Sequence, residues 1–130
     1  MTRRRPSVLL LDVDGTLVNY QLKLPSGAAD AVRAVRQAGH RVYLCTGRSP
    51  AEIYPELWQL GVDGLIGGNG SYIESSGQPV FQQVLDPRVV QRAVDWMVGL
   101  DLGYYLECNS GLYGTAHLPE KAAEILGNVP

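Results

Sequence analysis

The stretch VLLLDVDGTL, residues 8–17, decides the fold of this chain. Its first four residues are a continuous run of apolar strand formers, as expected for a parallel β-strand that is buried on both faces. The run stops at Asp12, and Gly15 then permits a tight turn. The sequence therefore predicts a buried strand that presents two acids, Asp12 and Asp14, at its carboxyl end.

Two further strands are predicted downstream, each after a helix. Residues 41–45 and 62–66 are short apolar segments, and the first helix begins near Pro25 and ends at Gly39. The second helix begins with a capping box at residues 49–52, and Pro55 should interrupt it early. An alternation of strand and helix predicts a parallel α/β unit with right-handed crossovers.

Polar residues follow all three predicted strands. Asp12 follows the first, Thr46 the second and Asn69 the third. In sheets of this kind, ligands bind beyond the carboxyl ends of the strands. We therefore expect these three residues to meet on one rim of the sheet.

The pattern changes after the third strand. Short strands are predicted at residues 72–73 and 79–84, followed by a helix that begins at Asp86-Pro87. A hairpin is predicted at residues 102–107 and 112–115, and a last helix at residues 119–126. The fold class is therefore α/β: a partial Rossmann-like parallel core over residues 1–79, followed by the start of a small α+β module over residues 80–130.

Composition excludes several classes of function. The formal net charge of -2 gives no basic field that would attract nucleic acid. No stretch approaches the length of a membrane span. Cys45 and Cys108 belong to no zinc-type spacing, and we expect them to be free thiols in a reducing cytoplasm.

The acids Asp12 and Asp14 carry the chemistry. Two close carboxylates repel each other unless a cation lies between them, and Mg²⁺ prefers such hard oxygen ligands. One carboxylate can then attack phosphorus, while the other gives and takes protons. The alternative is a turn in which both acids only accept hydrogen bonds from nearby backbone amides.

A second group of candidates binds phosphate. The Thr46 hydroxyl, the Gly47 amide and the amides that open the next helix would form a phosphate cradle. Arg48 either contacts the substrate or is solvated. Asn69, with Gly70, forms either a tight turn or a substrate contact, and the sequence favours neither.

Three segments resemble the haloacid dehalogenase superfamily of phosphatases, and in particular its Cof-type branch: LLLDVDGTL at 9–17, LCTGR at 44–48 and GGNG at 67–70. The resemblance implies that Asp12 attacks the phosphoryl group to form an aspartyl-phosphate. Asp14 would protonate the leaving oxygen and then activate water. Mg²⁺ would be held by the Asp12 carboxylate and the Asp14 carbonyl oxygen, and Thr46 and Gly47 would bind phosphoryl oxygens.

The resemblance also implies what the chain acts on and what it lacks. Arg48 and Asn69 would touch the substrate, which would be a small phosphorylated metabolite such as a sugar phosphate. The match covers the first half of a typical member. The lysine and the acidic G-D-x-x-N-D cluster of the second half have no counterpart here. The chain would then be either a truncated product of a longer phosphatase or a genuine short reading frame.

Other functions remain open. A catalytically incomplete fragment or interaction module would keep the fold without turnover. A half-built core would expose apolar surface, so we expect self-association or a partner. A receiver-like domain phosphorylated on aspartate is disfavoured, because Asp14 would speed the loss of the phosphoryl group.

Overall fold

The structure is a computed structural model that describes residues 5–19, 21, 23–116 and 118. The chain divides into two compact units, residues 1–83 and residues 84–130. Among the described residues, no helix combines the length and the apolar character needed to cross a membrane.

The first unit is built on a five-stranded mixed sheet with the order β1-β2-β3-β4-β5. Its strands are β1 (Val8–Asp12), β2 (Arg41–Cys45), β3 (Gly64–Gly67), β4 (Tyr72–Ser75) and β5 (Gln78–Gln82). The first three are parallel, and β4 and β5 continue the sheet as antiparallel strands. This confirms the predicted Rossmann-like parallel core.

The crossovers contain helix α1 (Ala28–Gln37), a 3-10 turn (Pro50–Glu52) and helix α2 (Pro55–Gln59). Glu52 accepts a hydrogen bond from the Ser49 amide at 2.8 Å, and Pro55 occupies the first turn of α2. The second crossover is therefore split where Pro55 was expected to interrupt it. The buried core packs between these segments and the sheet, and its residues are Val13, Val18, Val32, Val42, Leu44, Ile53, Leu57, Leu60, Leu65 and Tyr72.

Strand β1 differs from the sequence-based expectation of burial on both faces. Val8 is 61% exposed and Leu10 is 52% exposed. The expectation was wrong because, within the described part of the chain, β1 pairs with β2 alone and is therefore an edge strand. Residues 8–11 of β1 are all apolar, and an open edge without charge or proline over such a run is poorly protected against pairing with another chain.

The boundary between the two units falls after Gln83, whereas the boundary predicted from the sequence lies after residue 79. Strand β5 pairs with β4 in register Ser75↔Gln78 through Tyr72↔Gln82, so it belongs to the first sheet.

The second unit begins with helix α3 (Pro87–Gly99), whose N-cap Asp86 accepts a hydrogen bond from the Arg88 amide at 2.8 Å. Strands β6 (Tyr105–Cys108) and β7 (Gly111–Gly114) form an antiparallel hairpin. Within the described part of this unit, no residue reaches full burial. The helix predicted at residues 119–126 lies outside the described residues.

Candidate active site

The acidic loop after β1 is shaped by one buried residue between two exposed ones. Val13 is fully buried in the core, whereas Asp12 and Asp14 are exposed. The Val13 carbonyl accepts a hydrogen bond from the Val18 amide at 2.9 Å, and Gly15 turns the chain with φ of 77°. Because Val13 anchors the loop, its two acidic neighbours are both directed away from the core.

Asp12 lies at the end of β1, in register with Cys45 of β2. One of its carboxylate oxygens, Oδ2, accepts a hydrogen bond from the Thr16 hydroxyl at 2.7 Å. The other oxygen, Oδ1, accepts no hydrogen bond from any described residue. Asp12 is therefore oriented through one oxygen and keeps the other free for chemistry.

The turn after β2 begins with a nearly buried threonine. Thr46 is 7% exposed, and its amide donates to the Ile66 carbonyl of β3 at 2.9 Å. Its Oγ1 accepts a hydrogen bond from the Arg48 amide at 3.2 Å. The Gly47 amide donates to no acceptor among the described residues. The hydrogen of the Thr46 hydroxyl and the Gly47 N–H can therefore both donate to an incoming anion.

A 3-10 turn (Gly68–Gly70) after β3 is joined to the Thr46 turn by two backbone hydrogen bonds. The Asn69 amide donates to the Thr46 carbonyl at 3.3 Å, and the Gly68 amide donates to the Arg48 carbonyl at 2.8 Å. Asn69 has a left-handed backbone with φ of 54°. Its side-chain Oδ1 lies 3.3 Å from the point where a Cβ on Gly47 would stand.

Asp14 and Arg48 form a bidentate ion pair. Arg48 Nε donates to Asp14 Oδ2 at 2.9 Å, and Nη2 donates to Oδ1 at 2.7 Å. The Arg48 hydrogen bonds and positive charge hold the pKa of Asp14 below its usual range, against the opposing effect of partial burial. In return, Asp14 raises the pKa of Arg48, which stays protonated.

The oxygen atoms of the acidic loop fit a magnesium ion. Among the described residues no three His, Cys, Asp or Glu side chains cluster as a metal site. Mg²⁺, however, is usually held by one or two protein oxygens, with waters and substrate phosphate completing its octahedron. Asp12 Oδ1 and the Asp14 carbonyl oxygen accept no hydrogen bond from the described residues, so both are available as ligands.

The structure brings all six candidate residues to the carboxyl ends of three adjacent strands: Asp12, Asp14, Thr46, Gly47, Arg48 and Asn69. Sequence reasoning missed two residues that orient them. The Thr16 hydroxyl donates a hydrogen bond to Asp12, and its position in the D-x-D-G-T loop could have indicated this contact from the sequence. Tyr54 stacks under Arg48, 4.6 Å from ring centroid to Cζ, and no spacing rule indicates it.

An acidic loop after the first parallel strand and a hydroxyl-bearing turn after the second are features of a Rossmann-like hydrolase. The family model for haloacid dehalogenase-like hydrolases matches residues 9–127. The chain belongs to that family, as its motifs indicated.

Several relatives support this assignment. The chain is 27% identical over 85 residues to the putative phosphatase YkrA of Bacillus subtilis, covering 65% of this chain and 33% of YkrA. It is also 27% identical over 86 residues to the 5-amino-6-(5-phospho-D-ribitylamino)uracil phosphatase YwtE of Bacillus subtilis, covering 66% of this chain and 30% of YwtE.

A solved structure from Geobacillus kaustophilus HTA426, described as a hypothetical protein, matches with a TM-score of 0.82 at 26% identity. The match covers 94% of this chain and 49% of that chain. The chain thus spans about a third of the length of these curated relatives and about half of this solved structure.

Proposed function

We propose that this chain provides the nucleophile and the phosphate-binding turns of a phosphatase that hydrolyses small phosphomonoesters. The observation that carries the proposal is the register of β1 with β2. Asp12 pairs with Cys45, so the carboxylate and the turn at Thr46 follow adjacent parallel strands at the same end of the sheet.

The nucleophile in this proposal is Asp12. Its Oδ1 accepts no hydrogen bond from the described residues, while the Thr16 hydroxyl holds Oδ2 at 2.7 Å. A carboxylate oriented in this way can attack phosphorus to form an aspartyl-phosphate and release the alcohol. Because the Arg48 pair keeps Asp14 ionised in the free site, the proton for the leaving oxygen arrives with the substrate as a phosphate ester monoanion, and Asp14 relays it. Asp14 later takes a proton from the water that attacks the aspartyl-phosphate.

The phosphoryl group is bound in the proposal by donors of the second turn. The Thr46 hydroxyl and the Gly47 amide donate to its oxygens, and Asn69 borders the same turn. Such donors stabilise the charge of the transferring group when they are fixed before the reaction. Here the fixing comes from the hydrogen bonds of Thr46 and Asn69 to the neighbouring strand ends.

Magnesium would be held by one oxygen of the Asp12 carboxylate and by the Asp14 carbonyl oxygen, which leaves the second Asp12 oxygen to attack phosphorus. When bound, it supplies positive charge that offsets repulsion between the Asp12 carboxylate and an anionic phosphate ester. The remaining acidic ligands expected from the family resemblance have no counterpart in this chain.

The proposed substrate class is a phosphate monoester of a small polyol or sugar. YwtE is named for a substrate that carries its phosphate on a ribityl chain, which is a sugar alcohol. The chain offers hydrogen-bond donors for the phosphate, and its net charge of -2 gives no overall basic field that would attract a polyanion. A cytoplasmic location stays a prediction, drawn from the free thiols Cys45 and Cys108.

The second candidate is a catalytically incomplete fragment that acts only through binding. Two observations favour it: the exposed apolar edge at β1, and the absence of a three-residue acidic cluster among the described residues. In that case the phosphate turns would persist without turnover.

One assay separates the two candidates. The chain is incubated with p-nitrophenyl phosphate and Mg²⁺, beside the variants Asp12→Asn and Asp30→Asn. Asp30 is an exposed acid on α1 that pairs with Arg33, so it is a matched control. The phosphatase proposal predicts turnover that Asp12→Asn abolishes and Asp30→Asn preserves. No turnover in any of the three proteins would favour the fragment. Turnover that survives Asp12→Asn would contradict the role of Asp12 as the nucleophile.

A further inference from the structure

A cavity of about 330 Å³ lies at the end of the sheet opposite to the candidate active site. It is bordered by Gly64, the first residue of β3, and by Ser76 and Gly77, which connect β4 to β5. The candidate active site follows the carboxyl ends of the parallel strands, so this cavity is a separate feature of the first unit. Its volume suits a small ligand, because small-molecule sites range over roughly 300–1,000 Å³.

One side of the cavity is apolar and is formed by Trp58 of α2 and by Val62. Both residues are half-buried, and both pack against the core of the first unit. The indole is therefore held in place by packing while it lines the cavity. A fixed aromatic surface can cover an apolar group of a ligand at little cost in side-chain entropy.

Arg36 supplies a guanidinium whose orientation is set by Asp63. Its Nε and Nη2 donate to the Asp63 carboxylate at 3.1 and 2.9 Å, and its Nη1 donates to no described residue. The Asp63 carboxylate is held in turn by the Val42 amide, which donates to it at 2.8 Å. The Nη1 group of Arg36 is thus positioned in advance and is available to an acceptor on a ligand.

Glu74 supplies a carboxylate oxygen that is also available. Its Oε2 accepts a hydrogen bond from the Tyr72 hydroxyl at 3.0 Å, and its Oε1 accepts none from the described residues. The charged side chains that line the cavity are Arg36, Asp63 and Glu74, one positive and two negative. The excess negative charge disfavours a simple anion, and the guanidinium disfavours a simple cation. A ligand that carries one group of each sign complements both free groups.

We propose that this cavity binds a small zwitterion of the amino-acid class with an apolar side chain. The ligand carboxylate accepts hydrogen bonds from Arg36 Nη1, its ammonium donates to Glu74 Oε1, and its side chain packs on Trp58. Hydrogen bonds between charged groups are about twice as strong as neutral ones. The inference is independent of the proposed phosphatase function, because it concerns none of the residues of the candidate active site.

The first test uses L-phenylalanine as the probe and the two indole N–H signals of the isotope-labelled chain as the readout. Trp96 lies in the second unit and is 65% exposed, so its signal is an internal control, and the variant Trp96→Phe assigns the two signals. We expect a saturable shift of the Trp58 signal with a dissociation constant of about 1 mM or lower, and no shift of the Trp96 signal. No saturable shift of the Trp58 signal up to about 20 mM, or equal shifts of both signals, would overturn the proposal.

The second test changes the ligand and leaves the protein intact. Hydrocinnamate is L-phenylalanine without its ammonium, and phenethylamine is L-phenylalanine without its carboxylate. Each analogue should bind about tenfold more weakly than L-phenylalanine, because one charged hydrogen bond is lost. An analogue that binds as tightly as L-phenylalanine would show that the charge it lacks is not recognised, and would contradict the proposal.

The third test assigns the ammonium contact to Glu74. Glu74→Gln keeps an oxygen that accepts from the Tyr72 hydroxyl but removes the charge. It should weaken the binding of L-phenylalanine about tenfold without weakening that of hydrocinnamate. Glu56→Gln, at an exposed position of α2, is the matched control and should leave both affinities unchanged. Equal losses for both ligands in Glu74→Gln, or unchanged binding of L-phenylalanine in that variant, would contradict the assignment.

Discussion

Replacing Asp63 tests the packing that places the second and third strands. The Asp63 side chain is 14% exposed and accepts three hydrogen bonds, from the Val42 amide at 2.8 Å and from Arg36 Nε and Nη2 at 3.1 and 2.9 Å. Val42 is fully buried, so its amide cannot form a hydrogen bond with water in place of the one to Asp63 if Asp63 is removed. Asp63 therefore links α1, β2 and the start of β3.

The magnitude follows from these contacts. A buried donor left unpaired costs about 1–3 kcal/mol. The Arg36 pair adds at most about 1 kcal/mol, since Arg36 is 44% exposed in its side chain and solvent screens the charges. We expect Asp63→Ala to lower the free energy of unfolding by about 3 kcal/mol, and Asp63→Asn, which keeps an acceptor for Val42, by about 1 kcal/mol.

The effect should depend on pH. Burial acts to raise the pKa of Asp63, but the Val42 amide and the Arg36 charge outweigh it and hold the pKa below its usual range. A lowered folded-state pKa contributes stability that is fully present above the unfolded-state pKa of about 3.9. That contribution is lost as the pH falls through the folded-state value. The difference between wild type and Asp63→Asn should therefore shrink below about pH 4.

Urea unfolding at pH 7 and at successively lower pH measures these quantities. The control is Asp30→Asn, because Asp30 and Arg33 form a 2.7 Å pair whose side chains are 79% and 64% exposed. This variant should lose no more than about 0.5 kcal/mol. A loss for Asp63→Ala as small as that of the control, or a loss for Asp63→Asn that does not change with pH, would refute the reasoning.

Two further predictions concern the sheet. Gly64→Ala should lower the free energy of unfolding in urea by about 2 kcal/mol or more, because its Cβ would collide with the Glu74 carbonyl and lie 2.8 Å from the Tyr43 ring. The control Gly99→Ala has open space around the new Cβ and should not destabilise the chain. Equal losses for the two variants would contradict this prediction. Leu10→Lys should shift the chain towards monomer in sedimentation velocity, because it charges the open β1 edge; a wild type that is monomeric at every concentration would contradict the expected self-association.

Much of the site was predictable because it depends on strand ends. The apolar segment before Asp12, the glycine turns and the alternation with helices indicate where the parallel strands stop. The carboxyl ends of adjacent parallel strands necessarily lie at one edge of the sheet. The register Asp12↔Cys45 and the hydrogen bond from the Asn69 amide to the Thr46 carbonyl agree with that reasoning.

The rest depends on tertiary contacts that carry no sequence period. Arg48 and Asp14 are far apart in the chain, and the position of the arginine is fixed by Tyr54 and the Glu52 carbonyl. No propensity or spacing rule pairs these residues. The burial of β1 was misjudged for a related reason, since an apolar run shows that a strand can be buried but not which neighbours cover it.

The central claim is that Asp12 becomes phosphorylated. The chain is mixed with p-nitrophenyl phosphate and Mg²⁺ and quenched during turnover with borohydride, which reduces an acyl-phosphate to an alcohol. Peptide mass spectrometry then locates the reduced side chain. The account predicts homoserine at position 12, dependent on both substrate and Mg²⁺. Turnover with no reduced residue at position 12, or with reduction at Asp14 instead, would contradict it.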